Sequence, residues 1–143
     1  VLLFFYGTLI AGNALPLARA VHQRLEPLGP GTTRGQLRAI ADAQGWFPAL
    51  VAGEGWVHGQ LYRTGPGFAD DNLIALDAFE DYRPGDEQGS LYLRRPIPVE
   101  SSQGAMEAQT YLFNGPVPAT APLIENGSFA TWLAEWGLRP FQP

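Results

Sequence analysis

Apolar and polar positions along the chain change period several times, and each change marks an element. Val1 to Tyr6 is an unbroken apolar and aromatic run that stops at Gly7, the pattern of a buried strand ending in a turn. Leu15, Ala18, Val21, Leu25 and Leu28 then recur every three or four residues, which predicts an amphipathic helix over 14–28 ended by Gly29 and Pro30. Gln36 to Ile40 and Trp56 to Tyr62 alternate, predicting strands within 32–42 and 55–64. Between them Trp46 to Val51 is apolar but contains Pro48, and is placed at a sheet edge or in an irregular connection. Phe68 to Asp81 reads as a second helix. Tyr92 to Glu100 and Glu107 to Asn114 read as strands joined by a turn over Ser101 to Gly104. Ser128 can cap a last helix in which Phe129, Trp132, Leu133 and Trp136 share one face and Gly137 ends it.

Five or six strands interrupted by short helices, without strict βαβ alternation, predict an α+β or barrel-like fold in place of a doubly wound sheet. At 143 residues, one domain spanning 1–143 is the expectation. Composition then narrows the chemistry. The net charge is −5, with no lysine and nine scattered arginines, so no basic stripe exists to neutralise a phosphate backbone and nucleic acid is not expected as a partner. Cysteine is absent, which removes thiolate nucleophiles and cysteine-ligated zinc. His22 and His58 are too isolated for a metal site, so neither metal nor cofactor is expected. Neither a glycine-rich dinucleotide fingerprint nor a Gly-x-Ser-x-Gly elbow is present. The longest apolar run is too short to span a membrane and lacks a leader signature, so a soluble, cytoplasmic protein is expected.

One residue breaks the pattern. Wound at 3.6 residues per turn, 68–81 places Phe68, Leu73, Leu76 and Phe79 on one broad face, and Glu80 falls between the columns of Leu73 and Leu76. A carboxylate stands where a leucine is expected. Desolvation there raises its pKa toward the range useful for acid–base work at neutral pH. The alternative is a frayed last turn, or a structural ion pair with Arg83, Arg94 or Arg95. Asp77, one turn earlier, is read as a second acid in the site or, more often for such a position, as a surface charge or hydrogen-bond partner.

Leu76-Asp77-Ala78-Phe79-Glu80-Asp81-Tyr82, followed by Tyr92-Leu93-Arg94-Arg95, resembles the γ-glutamylcyclotransferase family, with its Leu-Asp-x-x-Glu-Gly/Asp core and following Tyr-x-Arg. Phe4-Phe5-Tyr6-Gly7-Thr8-Leu9 resembles the family's other hallmark, a first strand running into Tyr-Gly-Thr/Ser-Leu. Phe47 to Val51, Val57 to Tyr62, Ala108 to Leu112 and Ile124 to Trp132 extend the likeness along the chain. Two departures stand out: Asp81 replaces the commoner glycine, and Arg83 to Ser90 is a longer linker than in some relatives.

The resemblance implies a six-stranded, barrel-like α+β fold with a cavity at one end. It also implies intramolecular aminolysis of a small-molecule γ-glutamyl amide, releasing 5-oxoproline and a free amine or amino acid without a metal. Glu80 would be the catalytic base and then acid. Gly7, Thr8 and Leu9 would present backbone N–H groups to the substrate, and Tyr6, Tyr92 and Tyr111 would line its cavity. The competing readings are a binding module without turnover on the same fold, and a hydrolase in which water attacks. Oligomeric state and the identity of the amine are not legible.

Overall fold

In a computed structural model of the chain, describing residues 1–7, 9 and 16–141, five strands close into a barrel accompanied by three short helices. The strands are β1 (Leu2–Phe5), β2 (Leu25–Asp42), β3 (Gly45–Thr64), β4 (Tyr92–Ser101) and β5 (Gly104–Phe113); the helices are α1 (Pro16–His22), α2 (Asp70–Phe79) and α3 (Phe129–Trp136). Around the barrel the order is β1-β3-β2-β4-β5, with neighbours antiparallel until β5 meets β1 in parallel at Leu3↔Gln109.

β1 lacks alternation because both its faces are buried. Leu3 and Phe5 pack with Ala18 and Val21 of α1 and Leu76 of α2, whereas Phe4 and Tyr6 pack with Leu37, Leu50, Leu61 and, from α3, Trp132. β2 and β3 form a long hairpin turned at Ala43-Gln44, where Asp42 Oδ1 accepts the Gln44 amide at 3.0 Å and Gly45 takes φ 124°. β4 and β5 turn at Ser102-Gln103, where Ser101 Oγ accepts the Gln103 amide at 3.1 Å. Ser128 Oγ accepts the Thr131 amide at 3.3 Å, and Gly137 ends α3 at φ 63°, as the cap signals predict.

Four expectations need correction. The helix expected over 14–28 stops at His22, and Leu25 and Leu28 belong to β2. Pro27 supplies no helical N–H and disfavours helical backbone at Glu26, and Leu25 still reaches Ala18 and Val21 from the strand. Leu15 lies outside the described residues. Second, the strands around 32–42 and 55–64 reach back to Leu25 and Gly45. Third, Trp46 to Val51 is no irregular connection but the first half of β3, and the sheet-edge placement stands, since among the described strands this half pairs with β2 alone. Pro48 fits because it faces Ala39, whose amide points away to the Pro122 carbonyl at 3.0 Å; the pair is a non-hydrogen-bonded one, and the proline's missing donor faces away from β2. Fourth, Trp136 is 68% exposed while Phe129, Trp132 and Leu133 are buried. Among the described residues the strands number five, within the five or six expected, where the resemblance implied six.

Candidate active site

The sequence of α2 determines where its two inner carboxylates end up. Asn72 Oδ1 accepts the Ala69 amide at 2.8 Å, and Asp70 and Asp71 occupy the first turn, where the helix dipole favours anions. Leu76 is fully buried and fixes the helix against Leu3 and Phe5. The helix ends in a Schellman turn: the Asp81 amide donates to Ala78 O at 3.1 Å and the Tyr82 amide to Asp77 O at 2.8 Å, with Asp81 at φ 52°. That left-handed position explains why glycine is the commoner residue there in the resembling family. Glu80 caps the helix, so its carboxylate sits at the negative end of the dipole.

Asp77 is buried and fully engaged. Arg94 Nε donates to Oδ1 at 2.9 Å, Arg94 Nη2 to Oδ2 at 3.3 Å, and the Tyr111 hydroxyl to Oδ1 at 2.7 Å. It is the hydrogen-bond partner the spacing allowed, not a surface charge. The other arginines that could pair Glu80 are also committed: Arg83 to Asp81 at 3.1 Å, and Arg95 to Glu87 at 2.7 Å. Among the described residues no donor is hydrogen-bonded to the Glu80 side chain. Glu80 is partly buried and lines a cavity of about 260 Å³, and burial pushes its carboxyl up from 4.5 to about 8. The ion-pair reading of Glu80 therefore loses its basis, whereas the end-of-helix reading is right about position: α2 stops at Phe79 and Glu80 is its cap.

The same cavity gathers Tyr6, Gly7, Leu9, Tyr92 and Tyr111, each named by the sequence; Thr8 lies outside the described residues. Gly7 is required by close approach, since a Cβ there would come within 2.5 Å of Pro48 Cγ. Leu9 is buried, and its carbonyl accepts from His22 Nε2 at 2.5 Å, so His22 anchors the turn from α1. The phenols are held by protein: Tyr6 donates to the Tyr111 carbonyl, Tyr92 to the Pro48 carbonyl at 2.6 Å, and Tyr111 to Asp77. Burial first, and the Glu80 charge among the further causes, raise all three phenol pKa values. They remain protonated at neutral pH and offer oxygen lone pairs, not protons, to a bound molecule.

Sequence reasoning did not foresee the outer wall. Phe47, Leu91, Asp42 and Phe141 also line the cavity. Phe47 stood within a matched segment, but Asp42 closes a hairpin and Phe141 follows the last helix, and no local pattern points either toward a cavity.

The fold and site together define the class, a small closed α+β barrel whose cavity holds one carboxylate that the described residues leave unpaired. The chain belongs to the gamma-glutamyl cyclotransferase, AIG2-like family, whose profile matches residues 3–132. Among solved structures it is similar to an AIG2-like protein from Mus musculus, at 23% identity and TM-score 0.72, covering 99% of this chain and 95% of that one. An uncharacterised protein from Pyrococcus horikoshii matches at 20% identity and TM-score 0.63, covering 96% of each chain. The protein ytfP from Escherichia coli matches at 26% identity and TM-score 0.59, covering 90% of this chain and 96% of that one. No curated protein sequence matches the chain. Among the described residues no helix is long and apolar enough to cross a membrane.

Proposed function

We propose that the protein is a γ-glutamyl cyclotransferase in which Glu80 moves the protons. The supporting observation is the contrast at α2: Asp77 is neutralised by Arg94, while Glu80 faces the cavity without a cation among the described residues and with its pKa raised to about 8. A carboxyl group poised near neutrality suits a base that must later act as an acid.

In a γ-glutamyl amide the α-amine already lies within reach of the γ-carbonyl, so attack is intramolecular and carries a high effective molarity. The substrate ammonium supplies the counter-charge Glu80 lacks, and the tyrosine oxygens add acceptors around it. Glu80 takes one proton from the ammonium. The freed nitrogen attacks the γ-carbon, forming the ring C–N bond and placing negative charge on the carbonyl oxygen. Backbone N–H groups of the cavity-lining Gly7 and Leu9 would serve the substrate carboxylate or that oxyanion. Glu80 then returns its proton to the amide nitrogen, and the original C–N bond breaks. The ring nitrogen sheds its second proton, which departs with the product amine as ammonium. No oxidant, metal or water enters the balance.

The test is release of 5-oxoproline from a panel of γ-glutamyl compounds, with Glu80→Gln as the control. Glutamate in place of 5-oxoproline would identify a hydrolase. Binding without either product would identify a non-catalytic module.

A further inference from the structure

The segment after α3 builds part of the cavity although it lies beyond the family match, which ends at residue 132. Both backbone groups of Trp46 are taken by this tail: the Trp46 amide donates to Arg139 O at 2.9 Å, and the Phe141 amide donates to Trp46 O at 2.6 Å. Pro140 forms a parallel bridge with Trp46 and lies where a Cβ on Gly45 would be, so the hairpin turn is shaped to seat it. The pairing delivers Phe141 against Phe47, with ring centres 6.0 Å apart and planes at 82°.

Exposure gives the cavity a direction. Tyr6, Tyr92 and Tyr111 are buried and mark its floor, whereas Asp42 is exposed and Leu91 is 39% exposed, marking its mouth. A γ-glutamyl head placed at Glu80 and the Gly7 turn sends its amide substituent outward past Phe47 and Phe141. That path is aromatic, ends at the Asp42 carboxylate, and carries no arginine or histidine among the described lining residues.

We infer that the tail and the hairpin turn form a leaving-group subsite, and that it takes an arylalkyl amine bearing no carboxylate. The inference rests on the cyclotransferase reading. Phe47 and Phe141 would hold the aryl group edge to face, and Asp42 would repel an amino-acid carboxylate.

Three probes test it by 5-oxoproline release: γ-glutamyl-phenethylamide, γ-glutamyl-L-phenylalanine, which differs from it by one carboxylate, and γ-glutamyl-methylamide. The expected kcat/KM for the phenethylamide exceeds that for the phenylalanine compound by about tenfold or more. Phe141→Ala should lower kcat/KM about tenfold more for the phenethylamide than for the methylamide, mainly through KM. Asp42→Asn, which keeps an acceptor for the Gln44 amide, should narrow the preference for the phenethylamide about threefold. An equal or better rate with the phenylalanine compound, or an equal effect of Phe141→Ala on both amides, overturns the subsite and leaves cyclotransfer standing. No 5-oxoproline from any of the three overturns both.

Discussion

Asp77 and Glu80 stand about one turn apart on the same helix and meet opposite fates. Asp77 is buried under Arg94 and the Tyr111 hydroxyl, with its oxygens engaged and its charge matched. Glu80 lines an apolar-walled cavity at the C-terminal end of the helix, where burial above all, the helix dipole and the lack of a paired cation among the described residues disfavour its anion. A satisfied carboxylate contributes stability; an unsatisfied one is a cost to the fold. On the proposed reading of Glu80, the pair separates a structural acid from a catalytic one without reference to motif.

The largest expected effect is on rate. Glu80→Gln should lower kcat/KM by about a hundred- to ten-thousand-fold, since in the proposed mechanism one group performs both transfers. Steady-state kinetics on a true substrate decide it, and a variant as active as the parent would place the proton work elsewhere. Asp77→Asn should act in the other direction. It leaves the partly buried Arg94 without its counter-ion and should cost about 2–4 kcal/mol in urea unfolding, with kcat much less affected than in Glu80→Gln. If Asp77→Asn cost more in kcat than in stability, the division of labour drawn here would collapse.

pH sharpens the contrast. A carboxyl whose folded pKa is raised favours the protonated fold, so the contribution of Glu80 to stability is fully present below 4.5 and is lost as pH rises toward about 8. Glu80→Gln should therefore be more stable than the parent at pH 9, by on the order of 1–3 kcal/mol in urea unfolding, and differ little at pH 4. The parent's kcat/KM should fall with acidity below about pH 8, since the free enzyme needs the ionised base. A flat rate profile from pH 5 to 8 would be incompatible with that assignment.

The smallest effect concerns the turn that aims Glu80. Asp81→Ala should cost about 1–2 kcal/mol at its left-handed position, and Asp81→Gly should be tolerated. Thermal unfolding of the two variants compares them directly. Equal losses would mean that the Arg83 contact, not backbone conformation, matters at this residue.

Local chemistry made the legible parts legible. The caps of α3, the turn at Ser102-Gln103 and the doubly buried β1 each depend on a few adjacent residues, and each stands as the sequence predicts. Glu80 was visible because a charge interrupts an apolar face. The end of α1 was not, since Leu25 and Leu28 keep helical spacing by coincidence while Pro27 breaks the backbone. The partner of Asp77 was hidden for a different reason: Arg94 and Tyr111 are 17 and 34 residues away and reach it only once the strands are arranged. The exposure of Trp136 and the aromatic outer wall likewise depend on where the tail docks, which no window of adjacent residues encodes.

The parallel seam between Leu3 and Gln109 carries a kinetic consequence. Both long hairpins can zip locally, but this last pairing joins segments more than a hundred residues apart and must wait for them. Tyr6 and Gly7 follow directly from the strand that makes the seam, whereas Glu80 sits between the hairpins. Enzyme activity should consequently be the final signal to return during refolding, lagging any spectroscopic sign of sheet formation.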